Sequence, residues 1–384
     1  MPKSIARLLG ADEQLIHQLA NTFAAAGTAD HSWAEKVWAT LIRKDGGLQV
    51  NFGIGKYANR SVLDGFAGIA RDREQRTVRA SRLLEADAES TSVGPIRYEV
   101  LEPFRRLHMS LGENEAQPIR FDVTFQSRLP PFFEGRDIQY EHGRGRLSSD
   151  VVRYHQGGTV SGWVSSEGRR IEIKPEEWVA FRDHSWGTRE HVGLDPTDLA
   201  PNHHNMFAEG LYGHWFVSQI ERPDGSLYEL MYYFRRNGRG TEHFTGFINE
   251  ADGAQAPILK VWPELEYRAS DRAVMRGRIH VLVDAEGRGA HERTFDIEAI
   301  DPDAGFRLQP ALYGPWKGMV HGSYRGERHV DGEHIPDVNA AFTLERNPAW
   351  QMRDRPVRVR EGDNVGYGDL ESCVIGTWPG VKLI

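Results

Sequence analysis

The densest run of reactive side chains in the sequence is Phe181-Arg182-Asp183-His184-Ser185-Trp186-Gly187-Thr188-Arg189. An acid, an imidazole and an indole stand almost side by side, closed by a glycine. On an extended strand Asp183 and Ser185 face one way and His184 and Trp186 the other. Apolar surroundings disfavour the charged carboxylate, so a buried Asp183 becomes a proton donor near neutral pH. An ion pair of Asp183 with Arg189, with Trp186 plugging a barrel end, accounts for the same residues without chemistry. Aromatic strands supply possible binding surfaces: Gly213-His214-Trp215-Phe216, and Tyr232-Tyr233-Phe234. Such faces attract cations and pack flat apolar ligands, and they also fill β cores. Tyr313, Trp316 and His321 extend that supply towards the C-terminus, as Tyr140 and His142 do in the first half.

Other chemistries find little footing. Adjacent His203 and His204 alternate faces on a strand, and HxH and HExxH spacings are absent, so no metal site is expected. The single cysteine, Cys373, excludes an internal disulfide and a cysteine-rich metal knuckle. G-x-S-x-G is missing, which removes the esterase elbow. Gly53-x-Gly55 is not followed by a crossover helix with phosphate-binding spacing, and Gly366-Tyr-Gly-Asp369 is too short to read as nucleotide binding. No cofactor is expected. With 47 Lys+Arg against 55 Asp+Glu, a net charge of −8, the chain lacks the cationic face that nucleic acids require. No run approaches the ~18 apolar residues of a membrane span, so no integral membrane segment is expected. Met1–Gly10 has no signal-peptide pattern, which implies a cytoplasmic protein.

The elements that position these residues are mostly strands. Residues 12–26 and 31–45 carry a helical pattern: Leu15, Ile16, Leu19 and Phe23 after a capping Asp12, then Trp33, Val37, Trp38 and Leu41. A short helical segment over 1–46 is therefore expected. Gly47–Tyr57 reads as a strand, and 71–92 as either a solvated strand pair or a surface loop. Beyond, period-two alternation recurs at Phe121/Val123/Phe125, Ile171/Ile173 and Ile279/Val281/Val283. Gly157-Gly158, Glu167-Gly168, Asp224-Gly225, Asn237-Gly238, Asp252-Gly253 and Glu286-Gly287 supply hairpin turns between such runs. The pattern predicts a mainly β chain with two antiparallel lipocalin-like (calycin-type) barrels, over 47–193 and 205–384, joined by a linker at 194–204.

At Asp183-His184-Ser185-Trp186-Gly187 the sequence resembles the carotenoid 1,2-hydratase (hydroxyneurosporene synthase) family. Gly157–Ile173, His214-Trp215-Phe216 and Gly366-Tyr-Gly-Asp-Leu-Glu371 resemble neighbouring parts of it, over about residues 95–375. The resemblance implies two lipocalin-like barrels and the addition of water to an alkene without a redox cofactor. Asp183 matches the family's acid, and Trp186 its tryptophan. Protonating a trisubstituted alkene gives a tertiary carbocation, which calls for a protonated carboxyl, aromatic faces and a base such as His184 or His214 to direct water. The expected function is thus a hydratase, dehydratase or isomerase acting on a hydrophobic small molecule (terpenoid, steroid-like or aromatic). Asp183, His184 and Trp186 would be catalytic, and His214, Trp215, Tyr233, Tyr313, Trp316 and His321 would line the substrate. A non-catalytic lipocalin-like binder is the alternative.

Overall fold

The computed structural model describes residues 8–84, 89–140, 145–194, 198, 209–285, 289–340, 344 and 346–384. It is mainly β, and among the described residues no helix reaches seven residues. Among the described residues no helix is long and apolar enough to cross a membrane. The first half contains β1 (Trp33–Arg43), β2 (Gln49–Tyr57), β3 (Val62–Arg71), β4 (Glu74–Leu83), β5 (Ser92–Val93), β6 (Ile96–Glu102), β7 (Arg106–Leu111), β8 (Ile119–Ser127), β9 (Phe132–Tyr140), β10 (Leu147–Ser166), β11 (Arg169–Ile173) and β12 (Trp178–Thr188). The second contains β13 (Leu211–Glu221), β14 (Leu227–Asn237), β15 (Gly240–Glu250), β16 (Gln255–Tyr267), β17 (Val274–Ala285), β18 (Gly289–Ala299), β19 (Phe306–Arg307), β20 (Arg328–Ile335), β21 (Arg353–Asp354), β22 (Pro356–Glu361), β23 (Asn364–Ile375) and β24 (Val381–Leu383).

Of the two barrels expected, the one in the second half closes. Strands β15-β14-β13-β23-β22-β18-β17-β16 pair in that order and β16 returns to β15, making an eight-stranded barrel. The first sheet curls into a half-barrel with the path β20-β4-β3-β2-β1-β12-β10-β8-β7-β6-β5, and β9 and β11 also pair with β10. Its outermost strand, β20, comes from the second half of the chain and lies antiparallel to β4.

The helical reading of the first 46 residues is corrected. Residues 33–43 form β1, which pairs with both β2 and β12. Both its faces are covered: Ala39 and Leu41 enter the concave core of the half-barrel, while Trp38 and Ile42 enter a second core shared with the barrel. A strand buried on both sides carries a near-continuous apolar run, and periodicity cannot separate that from a buried helix. Over 12–26 only the 3-10 turn Gly10–Glu13 forms, and Leu15, Ile16 and Leu19 remain exposed. No neighbour covers that stripe, and a short helix without packing is marginal in water. Asp12 instead ties a loop, accepting the N–H groups of Leu9 (2.7 Å) and Phe23 (2.9 Å) and contacting His17 (2.6 Å).

The ambiguous 71–92 region contains strand β4. Glu167-Gly168, Asp224-Gly225, Asn237-Gly238 and Asp252-Gly253 fall at strand connections as expected, while Glu286-Gly287 lies outside the described residues. Gly157-Gly158 is not a turn; it sits inside β10, opposite Phe181 and Ala180. A Cβ at Gly158 would lie 2.4 Å from the Gln126 carbonyl oxygen, so glycine there serves a close strand approach.

Gly187 serves the same purpose beside the reactive run. Its φ is +135°, and a Cβ would stand 2.0 Å from the Asp150 carbonyl oxygen on β10. Gly187→Ala is therefore expected to lower stability by about 2–4 kcal/mol. Urea denaturation checks this, and a loss under about 0.5 kcal/mol would contradict the close approach.

Candidate active site

The alternation of β12 sorts the reactive run onto two faces. Arg182, His184 and Trp186 point to the concave side of the half-barrel. His184 contacts Tyr154 Oη through Nδ1 (3.1 Å) and Glu35 through Nε2 (2.8 Å), and the half-exposed Trp186 packs edge-on against it. Phe181, Asp183 and Ser185 point the other way, towards the closed barrel. Phe181 packs there with Trp38, Trp215, Val217 and Met231. Asp183 is thus half-buried between the two sheets, away from His184.

What surrounds Asp183 is a layer of buried charge. Its Oδ2 lies 3.1 Å from Arg153 Nε, not in a pair with Arg189. Arg153 also reaches Glu134 (3.3 Å) and stands over the rings of Trp215 and Tyr233. Trp215 donates its indole N–H to Glu134 and meets Trp38 edge-on with centroids 5.3 Å apart. His155 bridges the sheets, with Nδ1 at 3.0 Å from Glu134 and Nε2 at 2.7 Å from Glu229 on β14. Burial works against the imidazolium, but the Glu229 and Glu134 carboxylates overcome it and raise its pKa to about 10. Burial likewise pushes Glu134 up, yet Arg153 and His155 hold it below the ordinary carboxylate range. For Asp183, burial outweighs the Arg153 charge, and the nearby Glu134 adds to the upward shift.

A second carboxyl group comes from the barrel side. Asp354, Asp369 and Glu371 bring one oxygen each within 4.8 Å of one another. Trp38 donates its indole N–H to Asp354 (3.2 Å), and Asn51 donates to the same oxygen. Burial raises all three: mutual repulsion adds to it at Asp354 and Asp369, which go well above the carboxylate range, while at Glu371 burial outweighs the Arg153 charge and, with Asp183 and Glu134 adding to it, lifts the pKa to about 7. Among the described residues these three oxygens stand close enough to one another to share one hard cation.

A third group lines a narrow space of about 10 Å³, walled by Lys36, Gly53, Gly55, Asp64, Phe66, Tyr313 and His321, among others. Lys36 Nζ lies 3.0 Å from His321 Nε2 and 3.9 Å from the centre of the Tyr313 ring. A further space of about 10 Å³ adjoins Asp183, Trp38, Tyr98 and Met109.

The expected site residues therefore divide. Asp183, Trp215, Tyr233, Tyr313 and His321 gather between the sheets. His184 and Trp186 lie across β12 from them. His214 sits inside the closed barrel between the hydroxyls of Tyr232 (3.0 Å) and Tyr267 (2.7 Å), and burial drops its pKa to about 3. Around it Tyr212, Phe216, Tyr228 and Phe234 join one buried cluster, so aromatic side chains fill that barrel. Trp316 stacks on Trp350 in a separate cluster. His203 and His204 lie outside the described residues. Lys36, Glu134, Arg153, His155, Glu229, Asp354, Asp369 and Glu371 carry no motif. Their signal is period two: Arg153 and His155, or Asp369 and Glu371, are charged residues on the same face of otherwise buried strands.

These strands follow one family pattern across nearly the whole chain, from residue 8 to residue 381. The protein belongs to the family of unknown function DUF8625. No curated protein matches it. Among solved structures it is similar to an AttH candidate from Nitrosomonas europaea, with 14% identity, a TM-score of 0.51, and coverage of 90% of this chain and 93% of that one. Kievitone hydratase from Nectria haematococca aligns at 13% identity and a TM-score of 0.42, covering 89% of each chain. CghA, solved with Sch210972, aligns at 10% identity and a TM-score of 0.49, covering 90% of each. At such identities the likeness to the Nitrosomonas protein is one of fold.

His155 gives the charged layer a pH signature. Its folded pKa, about 10, lies above the ~6.5 of an unfolded histidine. Its contribution is complete below about pH 6.5 and is lost as pH rises through 10. His155→Gln is expected to lower stability at neutral pH by about 3–5 kcal/mol and to flatten the decline on the alkaline side. Urea midpoints measured across this range check both; an unchanged alkaline slope would contradict the bridge.

Proposed function

We propose that this protein is a hydratase, dehydratase or isomerase that needs no cofactor and acts on a hydrophobic small molecule between the two sheets. The observation that carries this reading is the presence of two half-buried carboxyls, one from each sheet, both shifted towards the protonated form: Asp183 and Glu371. Acid–base work at neutral pH needs two titratable groups with separate tasks. Asp183, held against Arg153, donates the proton to the alkene carbon. Glu371, titrating near 7, takes the proton from the attacking water. Trp38, Trp215 and Tyr233 present aromatic faces to the developing cation. The electrostatics of a layer emptied of water strengthen each of these contacts.

His184 and Trp186 take a supporting role in this reading, since they hold β12 from its concave face. His214 belongs to the packing of the filled barrel. Substrate contacts fall to Trp215, Tyr233, Tyr313 and His321. The two spaces, about 10 Å³ each, are far smaller than the ~300–1,000 Å³ of common ligand cavities. A terpenoid, steroid-like or aromatic substrate therefore enters by displacing Tyr313 and the connection that carries it. The cytoplasm, where the expected substrate would be met, completes the proposal.

The test uses the chemistry rather than a named substrate. Apolar alkenes and tertiary alcohols are incubated with the protein in ¹⁸O-water, and label in the alcohol is read by mass spectrometry. Wild-type protein is expected to exchange label, and Asp183→Asn to lose about 100-fold or more. The rate should rise with pH through about 7 as Glu371 ionises, and Glu371→Gln should abolish that limb. A ligand retained by the protein without any exchange would establish the lipocalin-like binder instead.

A further inference from the structure

Lys36 is the group in this layer that the acid–base reading leaves unused. It lies on β1 directly opposite Ser185 of β12, one diagonal step from Asp183 on the same face. It is 6% exposed. Buried lysines are nearly always matched by a carboxylate. Among the described residues none stands within ion-pair distance of this amine; its close neighbours are the His321 imidazole and the Tyr313 ring. Asp64, nearby, spends Oδ2 on the Gly322 backbone N–H (2.8 Å). Arg153 and Arg189 add positive charge, while Asp183 and Asp64 oppose it. Burial and Arg189 carry the balance, so the ammonium is disfavoured well below the lysine range, and His321 is held neutral by burial, with the Arg189 and Arg325 charges adding to it. A neutral amine is a nucleophile. It also borders the narrow space lined by Gly53, Gly55, Asp64 and Tyr313.

We propose that Lys36 captures the carbonyl group of the substrate as a Schiff base, so that the substrate class is an α,β-unsaturated aldehyde or ketone with an apolar body. This rests on the reading of the inter-sheet layer as a working site and narrows it. The Nζ lone pair attacks the carbonyl carbon, a C–N bond forms, and the oxygen takes up both amine protons and leaves as water. The resulting C=N, protonated, draws electrons from the conjugated alkene. Water then adds at the β-carbon, losing its proton to a neighbouring water, and the electron pair moves to form an enamine. Asp183 protonates the α-carbon, and a second water hydrolyses the imine to release the β-hydroxy carbonyl compound and the free amine. The sum is one water added to one alkene, with no oxidant or reductant. His321 Nε2, at 3.0 Å from Nζ, is placed to pass protons during capture and release.

The test is reductive trapping on the folded wild-type protein. Propanal and cyanoborohydride are supplied at about pH 6, where an ordinary lysine with pKa ~10.4 is almost wholly protonated. Peptide mass spectrometry then locates the propyl group. Labelling of Lys36 at least about 10-fold above any other lysine is expected, with none in Lys36→Met. Label spread over surface lysines, with Lys36 untouched until the protein is unfolded in urea, would overturn the proposal. The two readings separate: a trapped Lys36 without ¹⁸O exchange sustains the amine and sinks the hydratase, while exchange without an adduct sinks the amine alone.

Discussion

Withdrawal of water from charged groups between two β sheets is the constraint on which the rest of this structure depends. A buried carboxylate or ammonium is tolerated only when paired, hydrogen-bonded or neutralised. The layer between the half-barrel and the barrel uses all three solutions. Glu134, His155 and Glu229 form a paired bridge. Arg153 is shared between Glu134 and Asp183. Asp354, Asp369, Glu371 and Lys36 have too few opposite charges close by, and the balance moves them towards neutrality. The same shortage that makes these groups awkward to bury gives them acidities suited to proton transfer.

The architecture explains why this layer, rather than a barrel lumen, holds the chemistry. An eight-stranded barrel is just wide enough for its own side chains to fill, and here tyrosines, phenylalanines and His214 fill it. The concave face of the half-barrel is likewise closed by an apolar core running from Ala39 to Trp178. The convex faces of β1 and β12 meet β13, β14 and β23, and there polar side chains project among Trp38, Trp215 and Phe66. Strand β20 and the Tyr313–His321 connection close the layer from the side. Short glycine contacts at Gly158 and Gly187 let β10 lie close to its neighbours, and β10 delivers both Arg153 and His155.

Much of this fold was legible in the sequence, because strand alternation and turn glycines are local signals. The β class, the hairpins of the second half and the opposite facing of Asp183 and His184 follow from period two alone. Trp33–Leu41 misled because a strand buried on both faces loses its alternation, and Gly157-Gly158 because a glycine needed for strand contact looks like one needed for a turn. The candidate site was legible only where residues cluster along the chain, as at 181–189. Arg153, Glu229 and Glu371 meet Asp183 through pairing of strands far apart in sequence, and no spacing encodes that. Lys36 was hidden further, since it fell inside a stretch read as helix, where its facing towards Asp183 could not be inferred.

Burial lifts carboxyl groups of this layer from the ordinary acid range into the neutral one. A ¹³C NMR titration of the Glu371 side-chain carboxyl tests it most directly, with assignment by Glu371→Gln. The account predicts a midpoint near 7. A midpoint at or below the ~4.3 of an ordinary glutamate would contradict it.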